Sequence, residues 1–396
     1  MIRIKNFNDH RTTRHSDQIL RMRLMIQWVA TLTWLFLCTA AAYANKNYGI
    51  SLSLACMMMA YEEGGVSGVL DSPECPWLLP SSLHSSNSIN DCHFATLQGR
   101  RDYQEDRLLC NLHFNLPFPH GEGVPSIGVA AIFDGHGGRE ASEMASAMLS
   151  SYLLINVAFM ASKRVLPTND EHNQTQCSLR RTQAVIDHDS LRSVLEEALL
   201  RTIQDIDSEF SKQALDKGYV SGSTAIVALL FEGQLLVANI GDSKALLCSK
   251  HGDSSKQVYV EELTRDHHPD REDEKARIEA AGGFITRYGV PRVNGILALS
   301  RAIGDVYFKR FGVTAEAEVT SWKAFTSENS YLVVASDGVF ETLTPKDVCR
   351  LLHSKGSSSL PERIIRHAFE TGSMDNLSAI VISSLVSRES TEPQPL

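Results

Sequence analysis

Four times along this chain an acid beside a turn-forming residue marks the edge of an apolar, strand-like run. Ala131-Ile132-Phe133 ends at Asp134-Gly135, and Tyr331–Ser336 (YLVVAS) ends at Asp337-Gly338. Leu235–Ile240 (LLVANI) ends at Gly241-Asp242, while Asp375-Asn376 stands just before the last strand-like run, AIVI. One such acid is explained by turn chemistry, because Asp, Asn and Gly suit tight turns. Four in one domain demand more. If these strands share one core, their lips converge and carboxylates come within a few ångströms of each other. Clustered carboxylates raise one another's pKa unless cations neutralise them. Oxygen ligands without a His/Cys set favour Mg²⁺ or Mn²⁺ over zinc. A glycine beside a ligand acid lets the backbone carbonyl approach as well. The pattern predicts a divalent-cation site built at strand ends.

The rest of the chain constrains how those strands pack. Its 396 residues, 43% hydrophobic and 21% charged, are those of a globular protein. The net charge of −9 argues against a general nucleic-acid binder, which shows a basic surface. Residues 138–161, 190–217, 270–281, 345–354 and 361–370 read as helices, and 330–336 and 379–386 as strands. Residues 224–249 contain three β-rich runs divided by Glu232-Gly233 and Gly241-Asp242-Ser243, which suggests a meander. Strand runs interleaved with paired helices indicate an α+β layered domain. Residues 162–189 read as a polar surface insertion carrying the sequon Asn173-Gln174-Thr175. The match at Asn376-Leu377-Ser378 falls within the acidic pattern and reads as chance. Eight scattered cysteines form no C-x-x-C pair, and Cys248, inside an apolar run, reads as a buried free thiol rather than part of a disulfide framework.

The N-terminus is different in kind. Residues 24–44 carry no charge and are about long enough to cross a bilayer as a helix. Arg3, Lys5, Arg11, Arg14, Arg21 and Arg23 precede them and only Lys46 follows closely, so the positive-inside rule puts the N-terminus in the cytosol. Ala42-Tyr43-Ala44 also has the form of a signal-peptidase site. An anchor and a cleaved signal, the latter giving a secreted or lumenal product, both fit. The length of the basic segment 1–23 favours a single-pass anchor. Residues 45–91 read as a connector, 92–387 as the folded domain and 388–396 as a disordered tail.

Several chemistries are excluded by what is missing. There is no G-x-x-x-x-G-K-[ST], no G-x-G-x-x-G and no G-x-S-x-G. No cysteine stands six residues before an arginine. What is present, in order, is LQGRRDYQED (97–106), FDGHGG (133–138), SGSTA (221–225), ANIGDSKA (238–245), LTRDHHPDREDEKARIEAAGG (263–283), LALSRAIGD (297–305), VVASDGVFE (333–341) and MDNLSAIVI (374–382). These eight motifs over roughly 92–387 resemble the PPM/PP2C family of metal-dependent serine/threonine protein phosphatases, its plant members most closely.

That resemblance implies a fold of two antiparallel sheets packed as a sandwich, with helices on both outer faces. It implies two Mg²⁺ or Mn²⁺ ions. Asp134 would bridge them, the Gly135 carbonyl would help hold one, and Asp337 and Asp375 would complete the other. Glu105 and Asp106 would act mainly through metal-bound waters, and Arg101 would bind the substrate phosphate. His136, whose pKa lies in the useful range, is the expected proton donor to the leaving oxygen. Arginine suits phosphate because its planar fork offers two parallel charge-assisted bonds. Asp242 and Asp337 would serve a third, weaker metal together with Glu341, which stands where many members have aspartate and is one methylene longer. His267 and His268 read as structural, Asp305 as a loop organiser, and 282–296 as part of the substrate-facing surface.

The function expected is hydrolysis of phosphoserine and phosphothreonine in proteins by a metal-bridged hydroxide, with no phosphoenzyme, by a monomer tethered to a membrane. A non-catalytic binding protein of the same fold and a small-phosphoester hydrolase are the alternatives. The first calls for a lost ligand among Asp134, Asp337 and Asp375, and none is missing.

Overall fold

The computed structural model describes residues 92–116, 125–165, 188–250, 258–325, 330–354 and 357–384. The apolar segment 24–44, the connector 45–91, the tail 388–396 and most of the polar insertion, with its sequon, lie outside the described residues.

In chain order the elements begin with β1 (His93–Leu97), β2 (Arg107–Asn115), β3 (Ser126–Phe133) and β4 (Gly135–His136), followed by α1 (Glu140–Val165) and α2 (His188–Lys217). Then come β5 (Gly222–Ser223), β6 (Ala225–Phe231), β7 (Gln234–Ile240), β8 (Lys244–Lys250), β9 (Val258–Glu262) and α3 (Glu272–Ala280). Next are β10 (Ile285–Tyr288), β11 (Val290–Val293), β12 (Ile303–Gly304), α4 (Val306–Lys309), β13 (Glu318–Val319) and β14 (Lys323–Ala324). Last are β15 (Ser330–Ala335), α5 (Asp337–Phe340), α6 (Pro345–Leu352), α7 (Leu360–Glu370) and β16 (Leu377–Ser383).

Two antiparallel sheets form, in the orders β1-β16-β15-β8-β9 and β13-β7-β6-β3-β2. Successive side chains of a strand point to opposite faces, and here both faces are covered. Ala130, Ile132, Ile226, Ala228 and Val237 of one sheet meet Leu332, Val334, Ile380 and Ile382 of the other in the central core. On the outer face of the first sheet, Val333, Ala335, Ala379 and Val381 pack against Val348, Leu352, Ile364 and Ala368 of α6 and α7. Helices α1 and α2 cover the second sheet. The layers are therefore the expected α-β-β-α sandwich. Double burial also explains why the strands read as unbroken apolar runs. Glu140–Ala161, within α1, is long and apolar enough to cross a membrane, but it is the core helix packed on α2, β2 and β3.

Two expectations are corrected. The run 224–249 is no three-stranded meander. β6 and β7 form a hairpin in one sheet, whereas β8 pairs with β15 and β9 in the other. Gly241, at φ 98°, lets the chain cross between the sheets, and a Cβ there would stand 2.5 Å from the Thr224 side chain. Cys248 is not a free thiol. It is paired with Cys349 of α6, and Cys92 with Cys110 of β2. The partners are 101 and 18 residues apart, so only the tertiary fold brings them together.

Capping fixes where the outer helices start. Thr344 and Asp347 make a capping box at α6, with Pro345 in its first turn. Ser359 and Glu362 do the same at α7.

Candidate active site at the strand lips

Strand register assembles the acids. β2 pairs with β3 with Arg107 opposite Phe133, so Asp106 and Asp134 follow one another across the same lip. β15 pairs with β8 with Ala335 opposite Lys244, which places Asp337, opening α5, and Asp242, preceding β8, each two residues beyond that pair. β16 pairs with β15 with Ala379 opposite Ala335, and Asp375 lies just before β16. Five separate strand ends thus deliver carboxylates to one place.

Burial and mutual repulsion act on them. Burial, then the charges of Asp106, Asp337 and Asp242, push Asp134 well above the usual carboxylate range. Burial raises Asp106 to about 6 against hydrogen bonds from Ser378 and Ser336, with Asp337 and Asp375 adding to the rise. Asp242 is raised to about 7, chiefly by burial and by Asp337. Asp375 goes to about 6 for the same two reasons. One oxygen of Asp106 accepts from Ser336 Oγ at 3.0 Å, while the other, Oδ1, is buried without a partner. Among the described residues no three His, Cys, Asp or Glu side chains already stand in positions to hold a metal ion together. The gathered carboxylates and the orphaned Oδ1 fit a hard divalent cation, whose charge would relieve their repulsion.

Loops around the acids are braced from several sides. Asn376 donates to the carbonyls of Gln98 (2.8 Å) and Tyr103 (2.9 Å) and accepts from the Glu105 N–H (2.8 Å). It therefore shapes the whole RRDYQED loop, a role the sequence reading missed. With Nδ2 committed and the residue buried, its sequon is indeed a chance match. Glu341 Oε2 accepts from Ser373 Oγ (2.8 Å) and from the Met374 N–H (2.7 Å). The longer side chain is thus engaged in holding the Asp375 loop.

The structure separates the two neighbouring arginines. Arg100 lies over the Phe369 ring at 4.1 Å and donates to the carbonyls of Phe369 and Ser373, closing the C-terminal end of α7. Arg101 reaches Asp375 Oδ2 at 2.5 Å, with 54% of its side chain exposed. Of the pair it is the one that stands beside an acid of the cluster with its side chain open to solvent.

His136 sits in β4, next to β5, and its Nε2 contacts Asp305 Oδ2 at 2.7 Å. Burial works against charging the ring, but Asp305 outweighs it and the pKa rises. The Gly-Asp of SRAIGD repeats the strand-lip signature seen elsewhere, and that was the available signal for Asp305. His267 is structural as expected. It is buried, its Nδ1 accepts from the Gly241 N–H at 3.1 Å, and burial followed by Arg301 lowers its pKa to about 4. His268 is half exposed beside Asp266, 3.5 Å away.

Comparison with known proteins decides the family. Residues 90–377 match the family model described as Protein phosphatase 2C. The chain belongs to the protein phosphatase 2C family. It is an enzyme of the serine/threonine protein phosphatase class. Among its protein phosphatase 2C relatives, "Probable protein phosphatase 2C 51" of Arabidopsis thaliana is 40% identical, over 86% of this chain and 80% of that one. "Putative protein phosphatase 2C 76" of Oryza sativa subsp. japonica is 36% identical, over 83% and 84%. The crystal structure of serine-threonine phosphatase 2C from Toxoplasma gondii superposes with a TM-score of 0.60, covering 73% of this chain and 93% of that one at 20% identity, a likeness of fold.

Proposed function

We propose that this phosphatase 2C hydrolyses phosphoserine and phosphothreonine in proteins, using two Mg²⁺ or Mn²⁺ ions. The observation that carries the reading is the convergence of Asp106, Asp134, Asp242, Asp337 and Asp375 at one lip, with Arg101 beside Asp375. Asp134, the Gly135 carbonyl, Asp337 and Asp375 would hold the ions, with Glu105 and Asp106 behind them. When bound, the ions supply an activated water at neutral pH and neutralise phosphate charge. Arg101 binds and orients the phosphate through its fork. His136 hands a proton to the departing serine or threonine oxygen. No side chain serves as nucleophile, so no phosphoenzyme forms. A weaker third ion would rest on Asp242 and Asp337, since Glu341 is engaged by Ser373 and Met374.

The full-length chain in detergent, given a phosphothreonine peptide, should release phosphate only with Mn²⁺ or Mg²⁺ and stop with chelator. Asp337→Asn should reduce kcat by roughly 100- to 1,000-fold, the equivalent of a few kcal/mol of charge stabilisation. Activity that survives chelation overturns the reading.

Residues 24–44 are proposed as a single-pass anchor, with the catalytic domain on the non-cytosolic side; cleavage after Ala44 would leave it on that same side. Two observations support this. The basic segment precedes the apolar run, and two cysteine pairs stand in the folded domain, as suits an oxidising compartment. The substrates would then be phosphoproteins of the secretory pathway or exterior.

A further inference from the structure

His136 is held from behind by a three-stranded ribbon in the order β12-β5-β4. His136 pairs with Gly222, Gly222 pairs with Gly304, and the next residue is Asp305. Asp305 occupies the N-cap position of α4, where an aspartate ordinarily accepts from the helix amides, yet its side chain makes no capping hydrogen bond. Instead its carboxylate lies 2.7 Å from His136 Nε2. Three further features show that this contact is built into the fold. Asp305 is 4% exposed and holds a left-handed φ of 49°, a backbone conformation that is strained for a non-glycine residue. Its N–H donates to the Ser221 carbonyl at 3.2 Å. A Cβ on Gly222 would stand 2.1 Å from Asp305 Oδ2 and 2.5 Å from His136 Nε2, so the strand lacks a side chain where the two groups meet.

We propose that Asp305 is the positioning residue of His136: its carboxylate accepts the Nε2–H, fixes the ring plane and tautomer, and leaves Nδ1 to pass the proton. This rests on the reading of His136 as proton donor. In the step, a water oxygen bonds to phosphorus and the bond from phosphorus to the serine or threonine oxygen breaks. The leaving oxygen keeps that electron pair and takes the Nδ1 proton, while the proton lost by the water goes to solvent. Asp305 remains a carboxylate throughout. It touches neither substrate nor phosphate and acts only through the imidazole, as the aspartate of a serine-hydrolase triad does.

The test compares aryl phosphates with basic and with weakly basic leaving groups on full-length Mn²⁺-loaded enzyme. Asp305→Asn should lower kcat on phenyl phosphate by roughly 10- to 100-fold, the range found for partners that orient a functional histidine. KM, and kcat on 2,4-dinitrophenyl phosphate, should stay within about twofold, because that leaving group needs no proton. In a His136→Ala background the substitution should add nothing. Equal losses on both esters, or additive losses in the double variant, overturn the assignment. If His136→Ala itself shows no leaving-group dependence, the proton-donor reading falls and the Asp305 role falls with it. A variant that fails to fold is bypassed by ¹⁵N NMR of the wild-type histidine rings, with His136→Ala supplying the assignment. A proton on Nε2 at neutral pH supports the proposal, and an Nε2 without one overturns it.

Discussion

A buried aspartate with one oxygen hydrogen-bonded and the other bare, as in Asp106, is costly in a folded protein unless a cation joins it. Asp106, Asp242 and Asp375 have folded values of about 6, 7 and 6, against about 3.9 for an unperturbed aspartate. Between these limits the folded chain holds more protons than the unfolded one. Stability from this cluster therefore falls as pH rises from about 4 to about 7. Cations that take the place of those protons restore it. The rise in Tm on adding Mn²⁺ should consequently be larger at about pH 8 than at about pH 5.5; thermal denaturation at both values checks it, and equal shifts would count against the cluster as the cation site. At the level of residue types, the gathered acids were legible because turn chemistry does not require so many acids at strand ends, whereas Arg101 and His136 were named only through the family resemblance. The roles of Asp305 and Asn376 were not legible, because an Asp or Asn at a turn has the same appearance whether it braces a site or merely turns the chain, even where, as at Gly304-Asp305, it repeats the strand-lip pattern.

The short elements do the positioning, and they are the least visible in a sequence. β4, β5 and β12 have two residues each, too few to show any periodicity, yet their pairing brings His136 and Asp305 together. Gly222→Ala should break that pair by overlap while leaving both sheets intact. We expect kcat to fall by roughly tenfold or more, with an unchanged far-ultraviolet dichroism spectrum. The loop before Asp305 is held by α3. Glu274 is fully buried and binds Arg277 at 2.6 Å, Arg301 at 2.7 Å and the Ser300 hydroxyl. Burial alone would raise its pKa, but these partners hold it well below the usual range. Its stabilisation is present above the unfolded value of about 4.3 and is lost only in stronger acid. Glu274→Ala removes the carboxylate that Arg277, Arg301 and Ser300 share, leaving the mostly buried Arg301 with only the Glu316 carbonyl and the more distant Glu318, and should cost about 3–5 kcal/mol, read from urea unfolding. The pattern EDEKARIEA gave α3 as a charged helix, and charge patterning cannot mark which glutamate faces inward.

On the scale of the whole molecule, the Cys248–Cys349 bond ties a strand of one sheet to the helix that covers it, across 101 residues of chain. Closing a loop of that length stabilises a fold by up to about 4.7 kcal/mol. Peptide mapping of the full-length protein isolated from its own cells without reductant should find Cys248 linked to Cys349 and Cys92 to Cys110. Free thiols at all four positions would place the domain in a reducing compartment and overturn the orientation proposed for it. Cys349→Ser should lower stability by about 2–4 kcal/mol under oxidising conditions and change nothing under reducing ones. The sequence by itself determined the layered α+β class, the longer helices and strands, and the gathering of acids at strand lips, because periodicity and turn chemistry are local properties. Only the tertiary structure decided that β8 leaves its neighbours for the other sheet, that Arg101 lies beside Asp375 while Arg100 packs on Phe369, that the cysteines pair, and that Asp305 stands beside His136. Each of these depends on which distant segments meet, and that is set by packing two sheets face to face rather than by any short stretch of residues.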